Sequence, residues 1–108
     1  LFRSLSDLSP LIERQRAAAA RDDYMTFFRH DEAFHARLAE IADLPNAWGV
    51  IQSMKAHVDR QRLELMSSIK GRSAAAFDQH LAVLAAIEAG DPDAAEAHMR
   101  EHIHSVFI

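Results

Sequence analysis

The chain has 108 residues, of which 49% are apolar, enough for one domain with a real core and too few for two domains. The net charge is −4 and lysine occurs only at positions 55 and 70, so there is no basic patch of the kind that binds DNA phosphates directly. No run approaches the roughly 18 apolar residues of a membrane span. The absence of cysteine excludes disulfides and thiolate metal sites, whereas seven histidines favour metal or pH chemistry.

Proline, glycine and capping residues divide the chain into helical segments. The breaks are Ser9-Pro10, Arg21-Asp22-Asp23, Leu44-Pro45-Asn46, the loop 67–73 with Gly71, and Gly90-Asp91-Pro92. Ser9, Ser73 and Asp91 are the predicted N-caps, because short polar side chains can accept a hydrogen bond from the first turn. The predicted helices are 10–20, 23–43, 46–67, 73–89 and 92–107, with a short helix over 1–8 as an option. No segment alternates with period two, so we predict an all-α antiparallel helical bundle of about five to six helices.

The second predicted helix has two polar residues in the middle of its apolar stripe. At about 100° per residue, Asp31 and His35 point in the direction of the phenylalanine side chains, one turn apart. A buried carboxylate without a partner would neutralise or destabilise the fold. The pair could instead be a hydrogen-bonded pair on the helix surface, although its phenylalanine neighbours argue against that.

Two later helices also have histidines on their apolar faces. His80 lies in the middle of the inner face of the helix 73–89, and His98 and His102 share the inner face of the last helix. Facing helices in a bundle can bring such side chains together around a metal. The periodicity does not choose between His98 and His102, and a lone histidine on an apolar face is more often a satisfied core residue. The donor types suit a divalent ion, with zinc as the first choice and nickel, cobalt or manganese as alternatives.

The helix 46–67 adds an arginine to this predicted site. Its apolar stripe runs through Ile51, Met54, Val58 and Leu65, and Arg62 falls on the centre line of that stripe. Arg60 points roughly the opposite way, to solvent. An inward arginine beside a metal would donate two parallel hydrogen bonds to a carboxylate. This predicts a pocket for a small organic acid. The alternative is a half-buried Arg62 whose head reaches water or a glutamate.

Three functions fit these residues. They are an effector-binding sensor, a small metal-dependent hydrolase, and a bundle stapled by a structural metal. A hydrolase needs a general base that is not itself a ligand. Glu32 and Glu40 point away from the inner face on the helical wheel, which weakens that alternative.

The same residues resemble the FCD domain, the C-terminal ligand-binding domain of FadR-type GntR transcription regulators. The resemblance covers nearly the whole chain. It rests on the segments Asp31-Glu32-Ala33-Phe34-His35, Leu44-Pro45-Asn46, His80 with Leu84-Ala85-Ala86-Ile87, Gly90-Asp91, Ala94-Ala95 and Met99-Arg100-Glu101-His102. The resemblance implies that the metal ligands are Asp31, His35, His80 and His102. The interval of 22 residues from His80 is the usual one in this family and favours His102 over His98.

The resemblance also implies partners and a location. We expect a homodimeric bacterial regulator, cytoplasmic and not an enzyme, whose FCD domain binds a small carboxylate or sugar acid next to the metal. Arg62 would contact the effector, with Arg60 as the second choice. Operator DNA would be bound only through an N-terminal winged helix-turn-helix domain. We expect this domain and the first FCD helix to lie outside the chain, since the resemblance begins within the FCD domain.

Overall fold

In the computed structural model, residues 6–107 are described, apart from the side chains at positions 45, 57, 58, 62, 106 and 107. The helices are α1 (Ser9–Ala20), α2 (Tyr24–Ile41), α3 (Pro45–Ser67), α4 (Arg72–Glu88) and α5 (Pro92–Phe107). The described residues contain no strand, and the prediction of an all-α helical bundle is confirmed. The predicted helix bounds differ from the observed ones by at most two residues. The optional helix over 1–8 falls mainly on residues outside the described part. None of the described helices is long and apolar enough to cross a membrane.

The turn between α1 and α2 carries two aspartates with different roles. The carboxylate of Asp23 caps α2, accepting hydrogen bonds from the backbone N–H of Thr26 at 3.2 Å and from its hydroxyl at 2.8 Å. The side-chain hydrogen bond from Thr26, followed by the backbone one, lowers the pKa of Asp23 below its usual 3.8. Asp22 adopts a left-handed backbone conformation with φ of 53°. The predicted break at this position is therefore a capped turn.

Two of the predicted N-caps are wrong and one is right. α1 begins at Ser9 itself, with Leu8 in the cap position and no side-chain cap, so Pro10 already lies in the first turn. Ser73 is buried inside the first turn of α4, and its hydroxyl lies 3.5 Å from Asp22 Oδ1. The same carboxylate oxygen accepts a hydrogen bond from the Gly71 N–H at 3.1 Å. An aspartate that is distant in the sequence therefore accepts a hydrogen bond just before α4 begins. Asp91 caps α5 as predicted, accepting from the Ala94 N–H at 3.0 Å.

The described residues form two compact units that divide between Ser73 and Ala74. In the first unit α1 packs against α2, and α2 packs against α3. Its buried apolar residues are Leu8, Ile12, Ala18, Tyr24, Phe27, Phe34 and Met66. The buried apolar residues of the second unit are Ala76, Phe77, Val83, Leu84 and Ala86, and its buried polar residues are His80 and His102. Burial of these apolar side chains is the main stabilising contribution in each unit.

The predicted inner face of α3 is wrong. Ile51, Met54 and Leu65 are 45%, 71% and 64% exposed. The face that packs against α2 instead carries Trp48 and Lys55, whose side chains contact residues of α2. The apolar stripe and the packed face lie on different sides of the same helix. Periodicity locates a stripe, but which side of the helix is covered depends on the neighbouring helix.

Candidate metal centre

Asp31 and His35 form a close pair on α2, as the i, i+4 spacing predicts. The distance from His35 Nε2 to Asp31 Oδ1 is 3.1 Å, and the two side chains are only 18% and 15% exposed. The buried residues of the same helix are Tyr24, Phe27 and Phe34, and the last of them contacts the ring of His35. The carboxylate is thus half-buried and faces an imidazole nitrogen, which is a donor arrangement suited to a metal ion.

The ring of His35 is held between two aromatic side chains. The indole of Trp48 from α3 stacks on it at a centroid distance of 6.0 Å and an interplanar angle of 15°. Phe34 meets the imidazole edge-on at 5.4 Å and 73°. Such contacts restrict the rotation of the imidazole and orient its nitrogens. The sequence reasoning missed Trp48, although it is the only tryptophan in the chain and lies one helix away from His35.

Lys55 is a cation of α3 whose side chain faces α2. Its Nζ binds Glu32 Oε1 at 2.6 Å and Asp59 Oδ2 at 3.5 Å, and it lies 5.1 Å from the centre of the Trp48 ring. The side chain of Glu32 is 21% exposed, and its Oε2 is buried without a hydrogen-bond partner among the described residues. Glu32 therefore takes part in packing α2 against α3, contrary to the wheel-based prediction that it points away. Because two carboxylates already balance the charge of Lys55, we assign this lysine a role in packing the helices and not in binding an anionic ligand.

His80 and His102 form the second close pair. Their Nε2 atoms are 3.2 Å apart, and the rings meet edge-on with centroids 4.6 Å apart. His80 is fully buried and His102 is 4% exposed. His98, the competitor of His102 on the same helix, is exposed. Imidazoles buried in this way need polar partners for their nitrogens.

Gln79 is one such partner. The Nδ1 of His102 lies 2.7 Å from Gln79 Oε1, and the hydroxyl of Ser105 donates to the same oxygen at 3.1 Å. Sequence reasoning missed both residues. Gln79 is adjacent to His80 in the sequence, but nothing in the pattern indicates that it meets His102 one helix later.

The donor set can be summarised by residue type. The pair Asp31 and His35 offers one carboxylate and one imidazole, and the pair His80 and His102 offers two imidazoles. These are donor types that bind divalent metal ions. Of the two predicted effector residues, Arg60 is exposed on α3. The side chain of Arg62 lies outside the described residues, so its inward orientation stays a prediction. Three residues of the stripe that predicts its inward position, Ile51, Met54 and Leu65, are exposed.

The described residues thus define an all-α domain with two close pairs of metal-binding residue types. Comparison with known proteins identifies the family. The chain belongs to the FCD domain family, whose profile matches residues 3–105. The predicted resemblance is therefore confirmed.

Two relatives are named as regulators. The chain is 34% identical over 95 residues to the HTH-type transcriptional repressor RspR of Escherichia coli K12, covering 88% of the chain and 41% of the relative. It is 37% identical over 87 residues to an uncharacterized HTH-type transcriptional regulator in an unstable DNA locus of Streptomyces ambofaciens, covering 79% and 36%. The chain thus spans about two fifths of the length of these relatives. No solved structure matches the chain at a significant level. Family and relatives together indicate a regulatory sensor domain that is not an enzyme, as predicted.

Proposed function

We propose that this domain binds one divalent ion through Asp31, His35, His80 and His102, and senses a small carboxylate or sugar acid beside that ion. The observation that carries the proposal is the presence of two pairs of possible ligands. In each pair the two donor atoms are about as far apart as two atoms that bind the same metal ion. Operator DNA would be bound by a separate domain, in a cytoplasmic homodimer, and effector binding would change its DNA affinity. The names of the relatives as HTH-type transcriptional regulators support the binding of DNA by a separate domain.

The spacing within each pair supports the metal. Two ligands of one ion with bonds of about 2.0–2.1 Å lie about 2.8–3.0 Å apart at octahedral angles and about 3.3–3.4 Å apart at tetrahedral angles. The observed separations are 3.1 Å for the Asp31 and His35 atoms and 3.2 Å for the His80 and His102 atoms. A hydrogen bond has the same length, so metal titration is the decisive measurement.

The donor chemistry supports a borderline ion. Three imidazoles and one carboxylate suit zinc first, with nickel, cobalt or manganese as alternatives. When bound, the ion would compensate the charge of Asp31 and attract an anionic oxygen of the effector. An octahedral ion would keep two positions for the effector, whereas a tetrahedral zinc would be closed by the four side chains. Arg62, or else Arg60, would then grip the carboxylate of the effector.

Isothermal titration of the metal-stripped chain with zinc tests the donor set. We expect one ion per chain, and a large loss of affinity both in Asp31→Ala and in His80→Ala, because each variant removes a ligand from a different pair. His98→Ala is the matched control, since His98 is an exposed histidine on the same helix as His102. Two ions per chain, or unchanged binding in either ligand variant, would contradict the proposal.

The fluorescence of Trp48, the sole tryptophan of the chain, provides a second measurement of metal binding. The indole stacks on the ring of His35, so cobalt bound at His35 is expected to quench the emission of Trp48. Zinc at about 100 times its dissociation constant should also stabilise the fold by about 2.7 kcal/mol, by mass action on the folded state. An unchanged emission in cobalt would mean that the ion binds away from His35.

Effector sensing needs its own experiment. The zinc-loaded chain is titrated against a panel of dicarboxylates, hydroxycarboxylates and sugar acids. We expect at least one to bind, and to bind more weakly to Arg62→Gln. If the metal stabilises the chain while no acid binds, the metal is a structural staple and the sensor proposal is wrong.

A further inference from the structure

Gln79 of α4 makes a directional contact with a residue of the proposed metal site. Its Oε1 lies 2.7 Å from Nδ1 of His102, well within hydrogen-bond distance, and both side chains are shielded from water to a large extent. On the other side of the same ring, Nε2 of His102 faces Nε2 of His80 at 3.2 Å. The imidazole of His102 is therefore engaged through both of its nitrogens.

The chemistry of an amide oxygen determines which nitrogen carries the hydrogen. A carbonyl oxygen accepts hydrogen bonds and cannot donate them, so the nitrogen facing it must be an N–H. A neutral imidazole has only one N–H, and placing it on Nδ1 leaves a free lone pair on Nε2. A metal binds this lone pair, and the Nε2–H tautomer has none to offer on that side.

We propose that Gln79 is a positioning residue that holds His102 in the Nδ1–H tautomer, with Nε2 prepared for a metal. This inference rests on the proposed function, and it adds the partner that prepares the ligand. In the metal-free protein the hydrogen bond between the two histidines then takes its hydrogen from Nε2 of His80, since only one hydrogen can lie between two nitrogens.

Ser105 supports the orientation of the Gln79 amide. Its hydroxyl lies 3.1 Å from Gln79 Oε1 and 2.8 Å from the backbone carbonyl of His102, one turn earlier on α5. The single hydroxyl hydrogen serves only one of these two oxygens at a time. When it is directed at Gln79, it gives the amide oxygen a second donor and keeps that oxygen turned towards His102. With the amide reversed, its NH₂ group would face Nδ1 and force the hydrogen onto Nε2. Ser105 is thus a helper, and the acceptor itself belongs to Gln79.

The tautomer can be read directly in the metal-free chain. Long-range ¹H–¹⁵N correlation spectra distinguish Nδ1–H from Nε2–H histidines, and they do not depend on any bound ion. We expect His102 to be Nδ1–H in the wild type and to lose this preference in Gln79→Met, a variant of similar size without an acceptor. Gln79→Glu should restore it, because a carboxylate accepts from the same position.

The affinity for zinc tests whether Gln79 contributes to metal binding. Removing the hydrogen-bond partner of a metal-binding histidine commonly weakens metal binding by about 10–100-fold, so we expect a loss in that range for Gln79→Met and wild-type or tighter binding for Gln79→Glu. Ser105→Ala keeps the acceptor and should lose clearly less than Gln79→Met. Gln52→Met is the matched control, because Gln52 is an exposed glutamine on α3. Far-UV circular dichroism checks that each variant is folded.

The outcomes separate this inference from the proposed function. An Nε2–H tautomer of His102 in the wild type, or zinc affinity of Gln79→Met equal to that of Gln52→Met, overturns the role of Gln79. A wild type that binds no zinc overturns the proposed metal site, and the spectra of the metal-free chain still decide the tautomer. If Gln79→Met fails to fold, Gln79→Glu and Ser105→Ala provide the comparison. A Gln79→Glu variant that loses the Nδ1–H tautomer would then be the contradicting result.

Discussion

The contact between Lys55 and Glu32 is the sharpest test of how α2 and α3 pack. Lys55→Met keeps most of the aliphatic stem but removes the ammonium, which lies 2.6 Å from Glu32 Oε1. The carboxylate, whose other oxygen is already buried without a hydrogen-bond partner among the described residues, would then lose its cation. Breaking a fully buried ion pair by removing one partner costs about 3–5 kcal/mol. Here the two side chains keep 14% and 21% of their exposure, so we expect the free energy of unfolding to fall by about 2 kcal/mol.

Urea denaturation followed by far-UV circular dichroism measures this loss. With a slope of about 1–3 kcal/mol per molar urea, the midpoint should move down by about 0.7–2 M. Lys70→Met is the matched control, because Lys70 is the other lysine of the chain and is exposed. Its effect should stay within about 0.5 kcal/mol.

A double variant separates the pair from its surroundings. Replacing both charges, in Glu32→Leu with Lys55→Met, leaves neither residue as an unpaired buried charge, so stability should return to within about 1 kcal/mol of the wild type. The reasoning is refuted if Lys55→Met is no less stable than Lys70→Met. It is also refuted if the double variant loses as much as the two single variants added together.

Three further changes test the core, a helix cap and a turn. Phe34→Ala should lower the unfolding free energy by about 3–5 kcal/mol in urea, because the ring is completely buried, and a loss below about 1 kcal/mol would contradict that burial. Asp23→Ala should be less thermally stable than the wild type above the ordinary pKa of 3.8, since the lowered pKa of Asp23 stabilises the fold there. The difference between the two melting temperatures should shrink as the pH falls through the lowered pKa, and a difference independent of pH would exclude the carboxylate as its source. Gly90→Ala should cost about 1 kcal/mol because φ is +71°, whereas Gly49→Ala inside α3 should stabilise by about 0.5–1 kcal/mol, and equal signs would be the contrary result.

Local signals account for the predicted part of the fold. Prolines, glycines and capping aspartates act within one turn, so the helix bounds follow from short stretches such as Gly90-Asp91-Pro92. The contact between Asp31 and His35 is equally local, because residues four apart on a helix are neighbours whatever surrounds them. The predicted cap at Ser9 is wrong because α1 already includes Ser9, and the predicted cap at Ser73 is wrong for the complementary reason. A cap can be supplied from elsewhere, as Asp22 does at the start of α4.

The sequence by itself determined the all-α class, the helix bounds, the family, and the residues that could bind a metal. Only the tertiary structure decided which side of α3 is covered, since that depends on which face of α2 it meets. It placed Lys55 and Trp48 inside and left Ile51, Met54 and Leu65 in solvent. It also brought Gln79 to His102 across two helices, a contact that no periodicity encodes. Side chains distant in the sequence meet only through packing, and packing depends on all the neighbouring surfaces at once.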